Sequence, residues 1–193
     1  RNGPVVVYNP GREDDFSDYE YLSFLNKDES LKILKIPYRA KDRTPAQDAQ
    51  RRELLRSPTF THFKLKGKTY RVEDLNAVLA RTRKVRIFRI PGTANENKFF
   101  HTIHDYLSGA LLIVDDFRAV AREIRALPSL VYLYTRKNHC GKKSAWKSKR
   151  IGVDVINIFH HPDKCNTEIY DYTTHILIFN LTRNIRGATV DND

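Results

Sequence analysis

The chain has 193 residues, of which 40% are hydrophobic and 30% are charged. This length and composition predict one packed domain and exclude a chain that is disordered throughout. No run approaches the roughly 18 consecutive apolar residues of a membrane-spanning helix, so we expect neither a membrane span nor a signal peptide. The 34 Lys and Arg residues against 23 Asp and Glu give a net charge of +11, which favours a polyanionic partner, most simply nucleic acid.

The two cysteines, Cys140 and Cys165, are too few for a disulfide framework, and we therefore expect a reducing, cytoplasmic setting. Together with His139, His160 and His161 they supply residue types that bind zinc. Their spacing matches no established zinc motif, so zinc remains a minor alternative.

The first half of the chain mixes strand and helix signals. Residues 5–8 form an apolar run closed by the turn signal 9-NPGR-12 and predict a buried strand, whereas residues 13–25 predict irregular or partly helical structure. Thr44, Pro45 and Gln47 form a helix-start signal ahead of residues 48–57.

A hairpin and a helix follow in the sequence. The alternation in residues 61–72 around Lys66-Gly67-Lys68 predicts the hairpin, and residues 73–83 predict the helix. We interpret residues 27–83 as a small α+β insertion in a single domain that spans residues 1–193.

The second half alternates apolar strands with helices. We predict a helix over residues 97–108 that Asn95 caps and Gly109 ends, and another over residues 117–127. Residues 129–137 fit either a helix or a strand. The predicted strands are residues 85–90, 110–115, 153–159 and 175–181. This order predicts a mainly parallel α/β sheet with helices on both faces, which binds ligands at the carboxyl ends of its strands.

Two adjacent carboxylates, Asp115 and Asp116, end the most hydrophobic segment, 110-ALLIVDD-116. An apolar strand that ends in an acid pair fits the Walker B pattern, in which one carboxylate holds Mg²⁺ and its neighbour orients water. The competing interpretation is structural, because Asp116 could cap a helix that begins at Phe117.

Further features of the second half strengthen the Walker B interpretation. A basic pair, Lys149 and Arg150, precedes Gly152 and an apolar strand. That strand leads into 159-FHHP-162, and the pattern 168-EIYDYTTHILIF-179 follows. In this order the chain resembles the ATPase core of the HerA/FtsK superfamily of DNA-pumping motors, which includes viral genome-packaging ATPases and Zot-like phage proteins. The resemblance covers residues 85–184 and, more loosely, the chain from Val5.

The resemblance implies a RecA-like P-loop fold, ATP and Mg²⁺ as cofactors, and roles for particular residues. Asp115 would be the Mg²⁺-associated acid, and Asp116 would orient the attacking water, where the family more often has Glu. His160 or His161 would stand at the position that senses the γ-phosphate, where the family more often has Gln or Asn. Arg150 is the candidate arginine finger, with Arg136 and Lys149 as rivals.

The phosphate-binding motif G-x-x-x-x-G-K-[ST] does not occur in these 193 residues. In the family this loop precedes the strand that corresponds to 4-PVVVYNP-10. We expect it to be encoded ahead of Arg1; the alternative is a degenerate relative that no longer binds ATP.

A basic segment without acids, RKNHCGKKSAWKSKR, runs over residues 136–150. It is either a solvated charged loop or a loop that contacts nucleic-acid phosphates without sequence preference, with an aromatic ring available for stacking. The candidate nucleic-acid-binding residues are Arg136, Lys137, Lys142, Lys143, Trp146, Lys147 and Lys149.

We therefore expect an ATP-driven DNA translocase that acts as a homo-oligomeric ring, with viral capsid components as further candidate partners and a virion-associated location if the protein is viral. One alternative is a non-catalytic nucleic-acid-binding relative of the same fold. Another is a metal-dependent nuclease that uses Asp115, Asp116, Asp154 and His160. Asp154 argues against the nuclease, because it begins its strand at the end opposite Asp115 if the strands are parallel.

Overall fold

The computed structural model describes residues 3–9, 16–88, 90–115, 128–146 and 151–158. The predicted helix over residues 117–127 and the predicted strand over residues 175–181 lie outside these ranges. The structure is a mixed α/β fold built on one seven-stranded sheet.

The sheet has the strand order β4-β3-β2-β5-β1-β6-β7, and five neighbouring strands from β2 to β7 are parallel. The mainly parallel sheet predicted from the sequence is therefore confirmed. The strands are β1 (Val5–Asn9), β2 (Glu20–Phe24), β3 (His62–Leu65), β4 (Lys68–Arg71), β5 (Lys84–Phe88), β6 (Ala110–Val114) and β7 (Val153–Asn157).

Strand β1 lies between β5 and β6, so the chain crosses from one side of β1 to the other between these two strands. This reversal is a topological switch point, where α/β sheets form crevices at the carboxyl ends of their strands. Val114, the last residue of β6, is level with Tyr8 of β1 and with Asn157 of β7.

Five α-helices occur in the described residues, and two of them begin with a capping box. The predicted cap at Thr44 is confirmed, because its side chain accepts from the Gln47 amide and the Gln47 side chain accepts from the Thr44 amide. The helices are α1 (Lys27–Ile33), α2 (Pro45–Arg56), α3 (Leu75–Thr82), α4 (Thr93–Tyr106) and α5 (Pro128–Thr135).

Three sequence-based predictions need correction or completion. Residues 20–24, predicted as irregular or helical, form strand β2, which pairs with β5. Helix α4 begins at Thr93, directly after Gly92, which has a φ of 92°. Asn95 therefore lies inside the helix and does not cap it. The segment that fitted either a helix or a strand is helix α5.

The predicted insertion contributes strands to the same sheet. The hairpin β3–β4 forms around Lys66 and Gly67, as predicted, and β3 pairs antiparallel with β2. Helices α1 and α2 meet through a small separate cluster of Leu31, Ile36 and Leu54.

Aromatic packing between β1 and α4 forms the centre of the main core. The Tyr8 ring stacks on Phe99 at 4.4 Å between centroids and meets Phe100 edge-on at 5.6 Å. Leu112 and Val114 of β6 join the same buried cluster, to which helices α3 and α5 also contribute. Such packing fixes the position of α4 against the central strands.

The opposite face of the sheet is buried at Val7 of the central strand and exposed at residues of β2 and β7. Side chains alternate between the two faces of a strand, so Tyr21 and Ile156 point away from α4, and they are 48% and 47% exposed.

Among the helices of the described ranges, none combines the length and hydropathy that crossing a bilayer demands.

We predict that Gly152→Ala destabilises the fold more than Gly67→Ala. Both glycines have a positive φ, of 89° and 74°, which costs an L-residue about 1–2 kcal/mol. A Cβ at Gly152 would also lie 2.9 Å from the Lys137 carbonyl oxygen, whereas one at Gly67 meets nothing within 4 Å. Urea denaturation of the two variants measures the difference, and equal losses would contradict the close approach at Gly152.

Candidate functional site at the carboxyl edge of the sheet

Asp115 follows directly after β6, inside the sheet between β1 and β7. Its amide donates to the Tyr8 carbonyl oxygen at 3.0 Å, and the residue is only 8% exposed. The hydrogen bond extends the β1–β6 pairing by one position and fixes the backbone that carries the carboxylate. Asp115 therefore lies on a rigid support at the carboxyl edge, as the sequence predicted.

A second buried carboxylate, Glu96, lies at the same edge and was missed in the sequence analysis. The Tyr8 hydroxyl donates to Glu96 Oε1 at 3.0 Å and accepts from the Ile90 amide at 3.3 Å. Glu96 is 2% exposed and belongs to the first turn of α4, where the helix dipole favours an acid. The position of Glu96 in the first turn of a helix could be predicted from the sequence. Its burial could not, because it depends on contact with Tyr8, 88 positions away.

The end of β7 adds a polar pair to this edge. The Tyr134 hydroxyl of α5 donates to Asn157 Oδ1 at 2.6 Å. At the carboxyl edge, Tyr8 of β1, Val114 of β6 and Asn157 of β7 are level with one another, and Asp115 follows Val114 by one position.

The residues at this edge suit a metal ion that a substrate helps to hold better than one held by protein side chains alone. No group of three or more His, Cys, Asp or Glu side chains in the described ranges is arranged to hold a metal ion. Mg²⁺ in nucleotide enzymes needs only one or two carboxylates, because the substrate phosphates and water complete its shell. Asp115 suits that shared mode of binding.

Asp154 does not join this site. It is the second residue of β7 and pairs with Leu111, four positions before Asp115 along parallel strands. At about 3.3 Å per residue, the two backbones are roughly 13 Å apart along the strand direction. This separation argues against a metal shared by Asp115 and Asp154, which the nuclease alternative would need.

Several predicted site residues lie outside the described residues. They are Asp116, Lys147, Lys149, Arg150, His160 and His161. Their roles stay predictions.

The described part of the basic segment folds against the opposite, amino edge of the sheet. The Gly141 amide donates to the His104 carbonyl at 2.8 Å, and the Ala145 amide donates to the Glu73 carbonyl at 3.0 Å. Helix α4 ends just before β6 begins, so the His104 anchor lies towards the start of β6, whose five residues span about 16 Å before Asp115. Arg136, Lys142 and Trp146 are exposed there.

Lys143 differs from its exposed neighbours because its ammonium lies 2.8 Å from Asp105 Oδ2. His104 Nδ1 and His101 Nε2 also approach this carboxylate, at 3.1 and 3.5 Å. Burial acts to raise the pKa of Asp105, but the contacts with Lys143 and the two histidines outweigh burial and hold that pKa below its usual value. The hydrogen bond to Asp105 raises the pKa of Lys143.

Cys140 belongs to this segment and is buried, and its thiol donates to the Arg136 carbonyl at 3.7 Å. Burial, and secondarily the Asp105 charge, raises the pKa of the thiol to about 12. The nearby Arg136 guanidinium lies over the Tyr132 ring, 5.5 Å from its centroid.

No family model, curated protein or solved structure matches this chain. The resemblance to DNA-pumping ATPases therefore rests on the residues quoted from the sequence.

We predict that Asp105→Asn lowers the free energy of unfolding by about 1–3 kcal/mol at pH 7, because a buried, charge-assisted contact is lost. The pKa of Asp105 is depressed, so its contribution is fully present above the unfolded carboxyl pKa of about 3.9 and is lost progressively as the pH falls from that value through the lower folded-state pKa. Urea denaturation at pH 7 and pH 3 measures this. A difference between the proteins that persists unchanged at pH 3 would contradict it.

Proposed function

We propose that this chain is the ATPase part of a DNA-translocating motor of the HerA/FtsK type. The observation that carries the proposal is the placement of Asp115, a buried acid at the end of an inner parallel strand, beside the switch point of the sheet. Ligands of parallel α/β sheets bind at this edge. The resemblance of residues 110–116 and 149–179 supplies the reaction class.

In this proposal Asp115 holds Mg²⁺, directly or through water, and the Tyr8 carbonyl fixes its backbone at 3.0 Å. Bound Mg²⁺ would neutralise charge on the transferred phosphoryl group. Asp116 would accept a hydrogen bond from the attacking water, and Arg150 would stabilise charge at a neighbouring subunit's nucleotide. The proposal also requires a phosphate-binding loop, which these 193 residues do not contain.

DNA would contact the amino edge, where exposed Lys142 and Trp146 accompany Arg136. Backbone phosphates attract such cations regardless of sequence, and an exposed indole can stack on a base. Lys143 contributes less in this proposal, because its ammonium already pairs with Asp105. The ring oligomer and the capsid partner rest on the resemblance alone.

The non-catalytic alternative uses the same basic surface without hydrolysis. The nuclease alternative is less favoured, because Asp154 and Asp115 lie at opposite ends of neighbouring strands. These functions give different results in an assay with DNA, ATP and Mg²⁺: DNA-stimulated ATP hydrolysis, DNA binding alone, or DNA cleavage without ATP.

We predict that Asp115→Asn, made in the protein translated from the whole open reading frame, lowers DNA-stimulated ATP hydrolysis about 10- to 100-fold. The matched control is Asp154→Asn, the same change on the neighbouring strand at the other edge, which should keep wild-type turnover. Thermal unfolding checks that both variants fold. Equal turnover in all three folded proteins would overturn the assignment of Asp115.

We predict that Lys142→Glu weakens DNA binding. The fall of log K with log salt concentration should become less steep by about one unit, since one phosphate contact is removed. The control, Lys41→Glu, makes the same charge change at an exposed lysine outside the basic segment. Fluorescence anisotropy at several salt concentrations measures both. Identical slopes for the two variants would mean that Lys142 does not contact DNA and would contradict the proposed DNA surface.

A further inference from the structure

Helix α3 crosses the amino edge of the sheet from β6 to β5. At its start, the Asn76 side-chain amide donates to Ser108 Oγ at 3.0 Å, just before β6 begins. At its end, Arg83 directly precedes β5, and its carbonyl accepts from the Val5 amide of β1 at 2.6 Å. The helical rise from Asn76 to Thr82 is about 9 Å, which matches the roughly 10 Å across two strand spacings between β6 and β5.

The start of α3 is also where the basic segment is anchored. The Asn76 side-chain amide donates to the Trp146 carbonyl at 3.4 Å, and the Ala145 amide donates to the Glu73 carbonyl at 3.0 Å. Trp146 itself is 46% exposed. A ligand that contacts Trp146 therefore lies against one end of α3.

Two exposed cations mark the other end of α3. Arg81 belongs to the last turn of the helix, and Arg83 follows it. Neither guanidinium forms an ion pair or a hydrogen bond within the part of the chain that the structure describes. Lys84, the next residue, is less available because it pairs with Asp18 at 3.4 Å. Residues 75–95 contain no acid of their own, so this end of the helix attracts anions.

The backbone of Arg83 is strained. Its φ of 66° and ψ of −40° lie outside the regions that an L-residue prefers, whereas glycine adopts such a conformation readily. The fold needs this bend, because Arg83 both ends α3 and holds the first residue of β1 through its carbonyl. The bend does not need an arginine side chain, so a function of that side chain would account for its presence at a position suited to glycine.

We propose that the DNA surface of the basic segment continues along α3 to Arg81 and Arg83. Phosphates of one strand would follow the amino edge of the sheet from Trp146 to Arg83 and would contact both guanidinium groups without sequence preference. At about 3.4 Å of rise per nucleotide, the roughly 9 Å of helix corresponds to about three phosphates. This inference rests on the proposed DNA-translocating function and extends its DNA surface from β6 across β1 to β5.

Replacing Arg83 with glycine separates a DNA contact from a structural role. Arg83→Gly relieves the strained backbone, so the urea midpoint of unfolding should stay the same or rise. Fluorescence anisotropy should nevertheless show that the affinity for a short labelled DNA duplex falls about three- to tenfold. The fall of log K with log salt concentration should become less steep by about one unit.

The matched control for this variant is Lys35→Gly. Lys35 is also an exposed cation with a positive φ, of 52°, and it lies just after helix α1. The change therefore relieves the same kind of strain and removes the same charge, but it should leave DNA affinity and its salt dependence unchanged. Equal DNA affinities of the Arg83→Gly and Lys35→Gly proteins would overturn the proposal.

A second pair of variants tests the path without changing a strained residue. Arg81→Ala should weaken DNA binding about three- to tenfold, whereas Arg56→Ala, in the last turn of α2, should not. Comparison with Lys142→Glu distinguishes this inference from the proposed function. Weaker binding by Lys142→Glu alone would overturn the path along α3 and leave the DNA surface of the basic segment in place. Wild-type binding by Lys142→Glu, Arg81→Ala and Arg83→Gly would overturn both.

Discussion

Hydrogen bonding around Tyr8 holds the carboxyl edge of the sheet together. Its carbonyl receives the Asp115 amide from β6, while its hydroxyl joins Glu96 of α4 to the Ile90 amide after β5. Its ring packs on Phe99 in the core. One residue of the central strand thus connects two neighbouring strands and the helix that links them, and the position of both buried carboxylates depends on it.

Helix α4 connects the two edges that the proposed function uses. Its fourteen residues span about 21 Å, and Glu96 near the proposed nucleotide edge lies about 14 Å along the axis from Asp105 beneath the basic segment. DNA and nucleotide would therefore not touch the same side chains. A motor of this design would have to transmit force through α4 and the strands packed under it, which form one continuous core.

Elements with a strong local signal were predictable from the sequence. The capping box at Thr44, the hairpin at Gly67 and the apolar strand before Asp115 all follow from neighbouring residues and were found. Strand β2 was missed because its identity depends on distant pairing with β5 and β3. Glu96 and the ion pair between Asp105 and Lys143 were missed for the same reason, since residues 88 and 38 positions apart create them.

The burial of Cys140 has a consequence for chemical labelling. Burial raises the pKa of this thiol to about 12, so the thiolate, which is the form that alkylating reagents attack, is scarce near neutral pH. Modification of this cysteine must therefore wait for the segment that contains it to separate from α4. The rate at which Cys140 is alkylated, followed by mass spectrometry of the peptide that contains it, would then report how often this local opening occurs.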